Sequence, residues 1–223
     1  MIIVVGGIKG GSGKTTIATN LAVLRSAAGK KVLLVDADEQ KSAFDWSEQR
    51  EHRANNALKP KYTFVTVCLS GRSVYTQIKK MKEDYDDIVI DTGGRDTTSQ
   101  RAALNVADIF LIPFKPRSID IWTMGGVKRL INEVQACNPI LRCFVFINQA
   151  DPKGSDNQDA LNILCDYHTD VNVLPLYVGN RKAFSNAAAE GLAVSELDTK
   201  DIKASKEIID LYNSLYQDDV DSI

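Results

Sequence analysis

Short apolar runs alternate with amphipathic segments along almost the whole chain. Runs of four or five Val, Ile, Leu and Phe residues are typical of strands buried on both faces, whereas apolar residues at three- and four-residue spacing predict helices. Strands that alternate with helices predict an α/β fold, a mainly parallel twisted sheet flanked by helices on both faces. The predicted strands are 2–5, 32–36, 64–67, 88–91, 109–112, 143–147 and 171–174. The predicted helices are one that ends at Gly29 and others near 42–53, 73–82, 98–106, 119–136, 156–166, 181–190 and 200–216.

Length and composition fit one α/β domain that spans residues 1–223 without a linker. The net charge of −2 argues against a broadly basic surface, so any contact with nucleic acid has to come from a local patch. The apolar start is too short for a signal peptide and no stretch approaches a membrane span, so we expect a cytoplasmic protein. The cysteines form no C-x-x-C pair and are predicted to be buried free thiols in a reducing cytosol; they are Cys68, Cys137, Cys143 and Cys165.

A glycine-rich segment, Lys9–Thr16, lies between the first predicted strand and the first predicted helix. Its glycines let backbone N–H groups converge on phosphates at a helix N-terminus, so the segment predicts a nucleoside triphosphatase. Lys14 is expected to neutralise the β- and γ-phosphates, and Thr15 to offer its hydroxyl to Mg²⁺. The strict Walker pattern has glycine where this chain has Ile8. The predicted nucleotide-binding residues of this segment are Gly10, Gly11, Ser12, Gly13, Lys14, Thr15 and Thr16.

Carboxylates follow two more of the predicted strands, at the edge of the sheet where the glycine-rich segment lies. Asp91 ends a buried strand and is expected to hold Mg²⁺, while Gly93 and Gly94 let backbone N–H groups approach the γ-phosphate. Asp38 is predicted to position the attacking water, and Asp36 to support the Mg²⁺ site. The alternative for both aspartates is a helix N-cap or a solvated turn.

These motifs together resemble the ParA/MinD family of deviant Walker ATPases. The resemblance rests on Lys-Gly-Gly-x-Gly-Lys-Thr-Thr, Asp-x-Asp-x-Gln and Asp-Thr-Gly-Gly, and it covers nearly the whole chain. Gly7 stands where the family usually has Asn, and Glu39 stands where it usually has Pro, so the positioning of water is expected to be weaker or differently controlled. Similarity to short plasmid-partition ParA proteins without an N-terminal helix-turn-helix domain rests on Asp45, Trp46, Pro116, Ile119, Asp120, Gly125, Arg181, Ala183, Phe184 and Gly191.

The resemblance implies roles that the spacing of residues does not give. It implies ATP as the nucleotide, an ATP-dependent homodimer and a cargo-bound ParB-like protein that stimulates hydrolysis. It also makes Lys9 the signature catalytic lysine that reaches across the dimer to the partner's phosphates. Asn148 matches a family position whose amide binds the base, although an Asn at a strand end is often a simple turn former. Pro175, with Leu176 and Tyr177, is predicted to form a purine wall.

DNA and membrane are the two surfaces on which relatives of this family act. The predicted C-terminal helix is amphipathic but is followed by an acidic tail, so we expect it to pack on the domain instead of binding lipid. Four basic residues could form a stripe, divided between two subunits, that holds DNA phosphates without reading sequence. Ordinary solvated side chains are the alternative for each of them. They are Arg181, Lys182, Lys203 and Lys206.

The leading hypothesis is an ATP-dependent partition ATPase that binds nucleoid DNA nonspecifically and positions a plasmid, a chromosome or a protein assembly. A MinD-like spatial regulator and a small-molecule ligase resembling dethiobiotin synthetase are the alternatives within the same fold. An iron–sulfur carrier would need paired cysteines at a dimer axis, and the chain has no close cysteine pair.

Overall fold

The sheet at the centre of the molecule is built from the apolar runs. Every residue of the first strand is buried, as expected for a strand covered by helices on both faces. The sheet has seven strands in the order β3-β2-β4-β1-β5-β6-β7, and each neighbouring pair is parallel. The strands are β1 Ile2–Val5, β2 Val32–Asp36, β3 Val65–Cys68, β4 Asp87–Asp91, β5 Ile109–Phe114, β6 Arg142–Ala150 and β7 Asn172–Gly179.

Helices cover both faces of this sheet and divide the apolar core into two layers. On one face Leu21 and Ile208 belong to a core that includes Ile3 and Val5 of β1. On the other face Ile78 and Leu130 pack in a core that includes Val4. The helices are α1 Lys14–Ala27, α2 Ser42–Asn55, α3 Ser73–Met81, α4 Thr98–Leu104, α5 Ile121–Gln135, α6 Asp156–Asp166, α7 Lys182–Ala189 and α8 Ile202–Leu215. The predicted α/β fold with a mainly parallel sheet is confirmed.

The largest difference from the predicted elements is in β7. The sequence predicts a strand that stops at Leu174, but the strand continues through Pro175 to Gly179. The pairing of β6 with β7 shifts register between Val145 and Ile147, where Leu174, Pro175 and Leu176 are accommodated. Proline is tolerated there because β7 is an edge strand with a bulge, where one missing N–H breaks no interior ladder.

The cysteine prediction is wrong for three of the four thiols. All four are free, but only Cys143 is buried, and the other three are exposed. Cys68 ends the edge strand β3, and Cys165 lies on the outward face of α6 one residue before its end. Cys137 follows the end of α5. Apolar neighbours in sequence therefore did not indicate burial, because at these positions the chain turns toward solvent.

The last helix packs as predicted. Asp201 caps α8, and its carboxylate accepts hydrogen bonds from the N–H groups of Lys203 and Ala204. Ile208 and Leu211 are fully buried in the core, whereas Ile202 on the other side of the helix is 77% exposed. The apolar face of α8 is therefore already used by the domain itself.

The structure is a computed structural model. Within the residues it describes, none of the helices is long and apolar enough to cross a bilayer. Ile119 and Asp120, on which part of the ParA resemblance rests, lie outside those residues, as does the acidic tail. The structure describes residues 1–55, 60–118, 121–153, 155–166, 171–197 and 201–216.

Candidate functional site

The phosphate loop connects the buried strand β1 to the N-terminus of α1. Gly11 and Gly13 have φ angles of 72° and 83°, which side chains other than glycine rarely adopt. Gly13 is the N-cap of α1, and its carbonyl accepts the N–H of Ile17. The Nζ of Lys14 donates to the carbonyl of Lys9 at 3.1 Å, so the lysine side chain folds back over the loop. This conformation gives the loop the anion-binding form that the sequence predicts.

The loop after β4 closes over the phosphate loop from the opposite side. A Cβ on Gly94 would lie 2.5 Å from the Cα of Gly10, so the two backbones touch and no larger residue fits. A Cβ on Gly93 would lie 3.2 Å from Oδ1 of Asp38, which places that carboxylate beside the same loop. The three segments enclose a cleft of about 660 Å³. Its lining includes Gly10, Gly11, Gly13, Lys14, Thr15, Thr16, Asp38, Glu39, Gly93, Gly94, Arg95 and Gln149.

Asp91 lies behind Thr15, which lines this cleft, and one of its oxygens lacks a hydrogen-bond partner. Its side chain is completely buried, and its Oδ2 accepts a 2.6 Å hydrogen bond from the hydroxyl of Thr15. Its Oδ1 is buried without a hydrogen-bond partner. The pKa of Asp91 is raised to about 7, chiefly by burial and also by the carboxylates of Asp36 and Asp38, against the opposing effects of the Thr15 hydrogen bond and of Lys14.

A hydroxyl next to a carboxylate oxygen that lacks a partner fits a divalent cation that keeps several waters. Mg²⁺ prefers oxygen ligands and takes the remainder of its shell from water and phosphate. Thr15 and Asp91 would hold such an ion at the mouth of the phosphate loop. The positive charge of the ion would favour the ionised carboxylate, against the effect of burial.

Lys14 is buried in the same place as Asp91. Its pKa is lowered by burial, while the carboxylates of Asp91 and Asp38 act in the opposite direction. The site thus contains a lysine and an aspartate whose charged forms are both disfavoured by desolvation. Such perturbed groups in a cleft are typical of functional sites, because a charged ligand restores the favourable interactions that burial removed.

Asp36 does what the alternative interpretation predicted. Its carboxylate accepts the N–H of Asp38 at 3.0 Å and the N–H of Phe44 at 2.9 Å. The second bond caps the first turn of α2, which begins at Ser42. Burial raises the pKa of Asp36, and these backbone hydrogen bonds partly offset the increase. The helix-capping alternative is therefore present, and support of the Mg²⁺ site by Asp36 stays a prediction.

Two consecutive amides at the end of β6 hold the phosphate loop from below. Asn148 Nδ2 donates to the carbonyl of Ser12 at 2.7 Å, and Gln149 Nε2 donates to the carbonyl of Gly11 at 3.1 Å. Gln149 is one of two non-glycine residues in the described segments with a positive φ, at 54°. That backbone conformation turns its side chain toward the loop. Asn148 therefore supports the loop through its hydrogen bond to Ser12. Contact between Asn148 and a base stays a prediction.

A second cavity of about 270 Å³ adjoins the loop through Gly13 and Thr16. Asn148 and Gln149 line it on one side, and Val178 and Phe184 give it apolar walls. Pro175 does not line it, nor does it line the phosphate cleft. Because β7 continues four residues past Pro175, the apolar walls of this cavity come from the end of β7 and from α7.

A family model described as the CobQ/CobB/MinD/ParA nucleotide binding domain matches residues 3–194. The chain belongs to this family. The family resemblance predicted from the motifs is therefore confirmed.

Relatives of the ParA/MinD group match along most of the chain. The maintenance of carboxysome distribution protein A of Halothiobacillus neapolitanus is 27% identical over 214 residues, which cover 96% of this chain and 95% of that protein. The chromosome-partitioning ATPase Soj of Thermus thermophilus is 29% identical over 156 residues, 60% of this chain and 63% of Soj.

Solved structures show the same ParA/MinD fold. A McdA–ATP complex of Cyanothece superimposes with a TM-score of 0.71 at 17% identity, over 96% of this chain and 95% of that chain. A plasmid partition protein of Borrelia burgdorferi bound to AMPPNP gives a TM-score of 0.69 at 20% identity, over 96% and 98% of the two chains. At these identities the likeness shows the fold.

Lys9, the residue in the position of the ParA/MinD signature lysine, lies half-buried at the entrance of the phosphate loop. Its carbonyl oxygen binds Lys14 Nζ within the same subunit. Reach of the Lys9 side chain to a second subunit stays a prediction.

The predicted DNA-binding residues come together where α7 starts and α8 passes. Arg181 forms a bidentate ion pair with Glu207 on α8, including a 2.9 Å bond from its Nε. Lys206 pairs with Asp210 at 3.3 Å. Lys182 and Lys203 are exposed, and within the described segments neither makes an ion pair. Two of the four cations are thus neutralised by carboxylates, so a DNA contact here depends mainly on the other two.

Sequence reasoning missed several residues that shape the site. Gln100 Oε1 accepts the N–H of Gly7 at 3.1 Å and the hydroxyl of Thr92 at 2.9 Å, so α4 supports the entry to the phosphate loop. Lys115 follows β5, and its Nζ lies 3.6 Å from the place of a Cβ on Gly11. Gln100 is separated from the loop by more than eighty residues in sequence. The one feature of the sequence that could have indicated its role is its position at the start of the helix that follows the Asp91 motif.

Proposed function

We propose that the protein is an ATP-hydrolysing partition or positioning ATPase of the ParA/MinD group. In this proposal ATP and Mg²⁺ close a homodimer, the dimer binds nucleoid DNA without reading sequence, and a cargo-bound partner stimulates hydrolysis and release. The observation that supports it most is the cleft itself. Lys14, Thr15, Asp38, Asp91 and the Gly93–Gly94 backbone converge there on the edge where parallel strands place their ligands.

The described side chains divide the work of phosphoryl transfer. Lys14 binds the β- and γ-phosphates, and the N–H groups of Gly11 and Gly13 complete the cradle. Thr15 and Asp91 would hold Mg²⁺, which would neutralise part of the phosphate charge. Asp38 orients a water for in-line attack on the γ-phosphorus. The bond from phosphorus to the bridging oxygen breaks, so ADP leaves with that oxygen and inorganic phosphate is released.

The base of the nucleotide enters the cavity between the ends of β6 and β7. Val178 and Phe184 offer apolar contacts to a purine, and the cavity opens onto the phosphate loop at Gly13. Asn148 contacts the base through its amide while it keeps its hydrogen bond to Ser12. An adenine fits this proposal because apolar walls with one polar group are the usual surroundings of an aromatic base.

Lys9 acts in trans in this proposal. Two ATP molecules that face each other across a dimer repel, and a lysine from each partner offsets that charge. Dimer closure then depends on the γ-phosphate, since ADP presents less charge to the incoming lysine. DNA binding follows closure, because Lys182 and Lys203 of two subunits neutralise twice as many phosphates as those of one.

The relatives support a role in positioning but leave its cargo open. One is named for carboxysome distribution, and another for chromosome partitioning. A plasmid partition protein shares the fold. We propose that the cargo belongs to one of these three classes and that its partner is a ParB-like protein in function. In this proposal the protein is cytoplasmic and associates with the nucleoid.

The test is retention of nonspecific duplex DNA by the purified protein with Mg²⁺ and ATP, compared with ADP. Wild type is expected to hold DNA only with ATP and to elute as a dimer under the same conditions. Lys9→Ala is expected to bind ATP as a monomer and to lose DNA retention. Lys82→Ala is the matched control, because this exposed lysine lies on the turn before β4, at the opposite edge of the sheet.

Three results would count against the proposal. ATP binding and turnover without any DNA retention would favour the small-molecule ligase or the spatial regulator. DNA retention that is as strong with ADP as with ATP would show that the bound nucleotide does not control DNA binding. A Lys9→Ala protein that dimerises and retains DNA like wild type would exclude the trans role of that lysine.

A further inference from the structure

Arg95 directly follows the glycine pair that closes over the phosphate loop. It is exposed, and it lines the phosphate cleft together with Lys14 and Asp38. Because Gly94 touches Gly10, and consecutive Cα atoms lie about 3.8 Å apart, the Arg95 backbone is fixed at the rim of the loop. Arg95 therefore adds a positive charge to the rim of the cleft, on the side of the loop after β4.

The carboxylates nearest to Arg95 in sequence and in the adjoining groove are already paired with another arginine. Both oxygens of Asp96 accept 2.6 Å hydrogen bonds from Arg101. The same Arg101 forms a 2.7 Å ion pair with Glu133 of α5. Among the described residues, Arg95 itself takes part in neither a hydrogen bond nor an ion pair. Arg101 thus has the structural role, and Arg95 keeps its charge for a ligand.

The charge of the cleft also favours a second cation at this rim. Lys14 and Arg95 are the basic residues of its lining, and Asp38 and Glu39 are the acidic ones. The buried Asp91 lies below. Lys14 is held against the Lys9 carbonyl and approaches the phosphates from within the loop. The outer oxygens of a γ-phosphate carry charge in the transition state, so a second cation at the rim would complement Lys14.

We propose that Arg95 is a further catalytic residue, which binds the γ-phosphate of the ATP held by its own subunit. This inference rests on the proposed ATPase function. The guanidinium donates two hydrogen bonds to γ-phosphate oxygens and keeps its positive charge throughout, as arginine side chains do in proteins. It stabilises the negative charge while water adds to phosphorus and the bridging oxygen departs with ADP. Release of phosphate frees the side chain, so its position reports the state of the nucleotide.

The experiment compares affinities for the non-hydrolysable analogue AMPPNP and for ADP, both with Mg²⁺, at protein concentrations low enough to keep the chain monomeric. Arg95→Ala is expected to weaken AMPPNP binding by about tenfold and to leave ADP binding within about twofold, as for one lost charge-assisted contact. ATP turnover is expected to fall by at least about tenfold. Arg95→Lys is expected to recover part of the affinity, since it keeps the charge but not the paired donors.

Arg129→Ala is the matched control, because Arg129 is exposed in the adjoining groove but does not line the cleft. It is expected to behave like wild type in both titrations. Equal losses for AMPPNP and ADP, or no loss at all, would overturn the role of Arg95 while the ATPase assignment stands. Failure of wild type to bind either nucleotide would overturn the proposed function itself. All variants are expected to melt at the wild-type temperature, since the changed side chains are exposed.

Discussion

The strand β4 begins and ends with a buried aspartate, and the two residues differ in the partners that the protein gives them. Asp87, at the amino end, has two contacts from Arg25 to its Oδ2, at 2.8 Å and 2.6 Å, and its Oδ1 lies 3.5 Å from the N-terminal amine of Met1. Asp91, at the carboxyl end, is bonded through Oδ2 to the neutral hydroxyl of Thr15. Each aspartate has an Oδ1 without a hydrogen bond, but only Asp87 forms ion pairs among the described residues.

The counter-charges at the amino end come from the protein itself. Arg25 also donates to the hydroxyl of Tyr212, and its guanidinium lies 4.0 Å from the ring centroid of Tyr216. Burial alone would lower the pKa of Arg25, but the hydrogen bonds with Tyr212 and Asp87 outweigh it and raise the pKa. A buried carboxylate that is paired with cations of the protein has a structural role, whereas one in a cleft without such a pair indicates a place for a ligand.

The largest expected effect is at the carboxyl end of β4, near Asp91. Lys14→Ala is expected to lower ATP affinity by at least about a thousandfold, because no other side chain takes its place between the β- and γ-phosphates. The free energy of unfolding should change little, since the variant removes a desolvated charge. Titration calorimetry with Mg²⁺ and ATP measures the first quantity, and urea denaturation the second. Tight ATP binding by the variant would contradict the phosphate-loop assignment.

The second effect is at the amino end of β4, near Asp87. There the stability of the fold is expected to change, and nucleotide binding is not. Arg25→Met keeps the packing volume but leaves the Asp87 carboxylate buried without its counter-charge, which costs about 3–5 kcal/mol of unfolding free energy. The double variant Arg25→Met with Asp87→Asn should recover much of this loss. Urea denaturation of the three proteins tests it. A single variant as stable as wild type would show that this ion pair contributes nothing.

Asp91→Asn is expected to stabilise the ligand-free protein and to stop Mg²⁺-dependent turnover. The pKa of Asp91 is raised from 3.8 to about 7 in the folded protein. Between these values the unfolded chain loses its proton and the folded one keeps it, so wild-type stability falls as the pH rises through this window. The variant lacks this loss and should gain on the order of 2–4 kcal/mol relative to wild type at pH 8.

Thermal or urea unfolding of Asp91→Asn and wild type at pH 5 and at pH 8, without Mg²⁺ or nucleotide, measures this difference. The advantage of the variant should be smaller at pH 5 than at pH 8. An advantage that is independent of pH, or a variant less stable than wild type, would contradict the unsatisfied state of Asp91.

Much of the phosphate site could be predicted because its motifs are local. Lys9–Thr16 lies between a strand and a helix, and Asp91 ends an apolar strand, so chain order alone brings them to one edge. Gln149 and Lys115 were missed because they reach the loop from β6 and β5, which only the strand order of the sheet places nearby.

At two other residues the folded backbone adds contacts that the sequence did not show. Pro175 looked like the end of a strand, but an edge strand tolerates a proline at a bulge, so β7 continues past it. The carboxylate of Asp36 satisfies an N–H group at the start of α2. Support of the Mg²⁺ site by Asp36 stays a prediction.

The smallest expected effect concerns the amide that holds the phosphate loop. Gln149→Gly removes the hydrogen bond to the Gly11 carbonyl and also relieves a positive φ, so we expect ATP affinity to fall by about threefold to tenfold without loss of stability. Lys41→Gly is the matched control, because Lys41 also has a positive φ, at 52°, and does not line the cleft. Nucleotide titration and thermal melting of both variants check this. Unchanged affinity in Gln149→Gly would show that the loop keeps its shape unaided.

The bulge at Pro175 also determines how molecules can assemble side by side. An open edge strand offers a row of free N–H and C=O groups on which a neighbouring chain can extend the sheet, and such growth leads to fibrils. On β7 that row is interrupted, because the pyrrolidine nitrogen has no hydrogen to give and the backbone bends at the register shift. The β7 edge of the sheet is therefore protected against the addition of a strand from a neighbouring molecule.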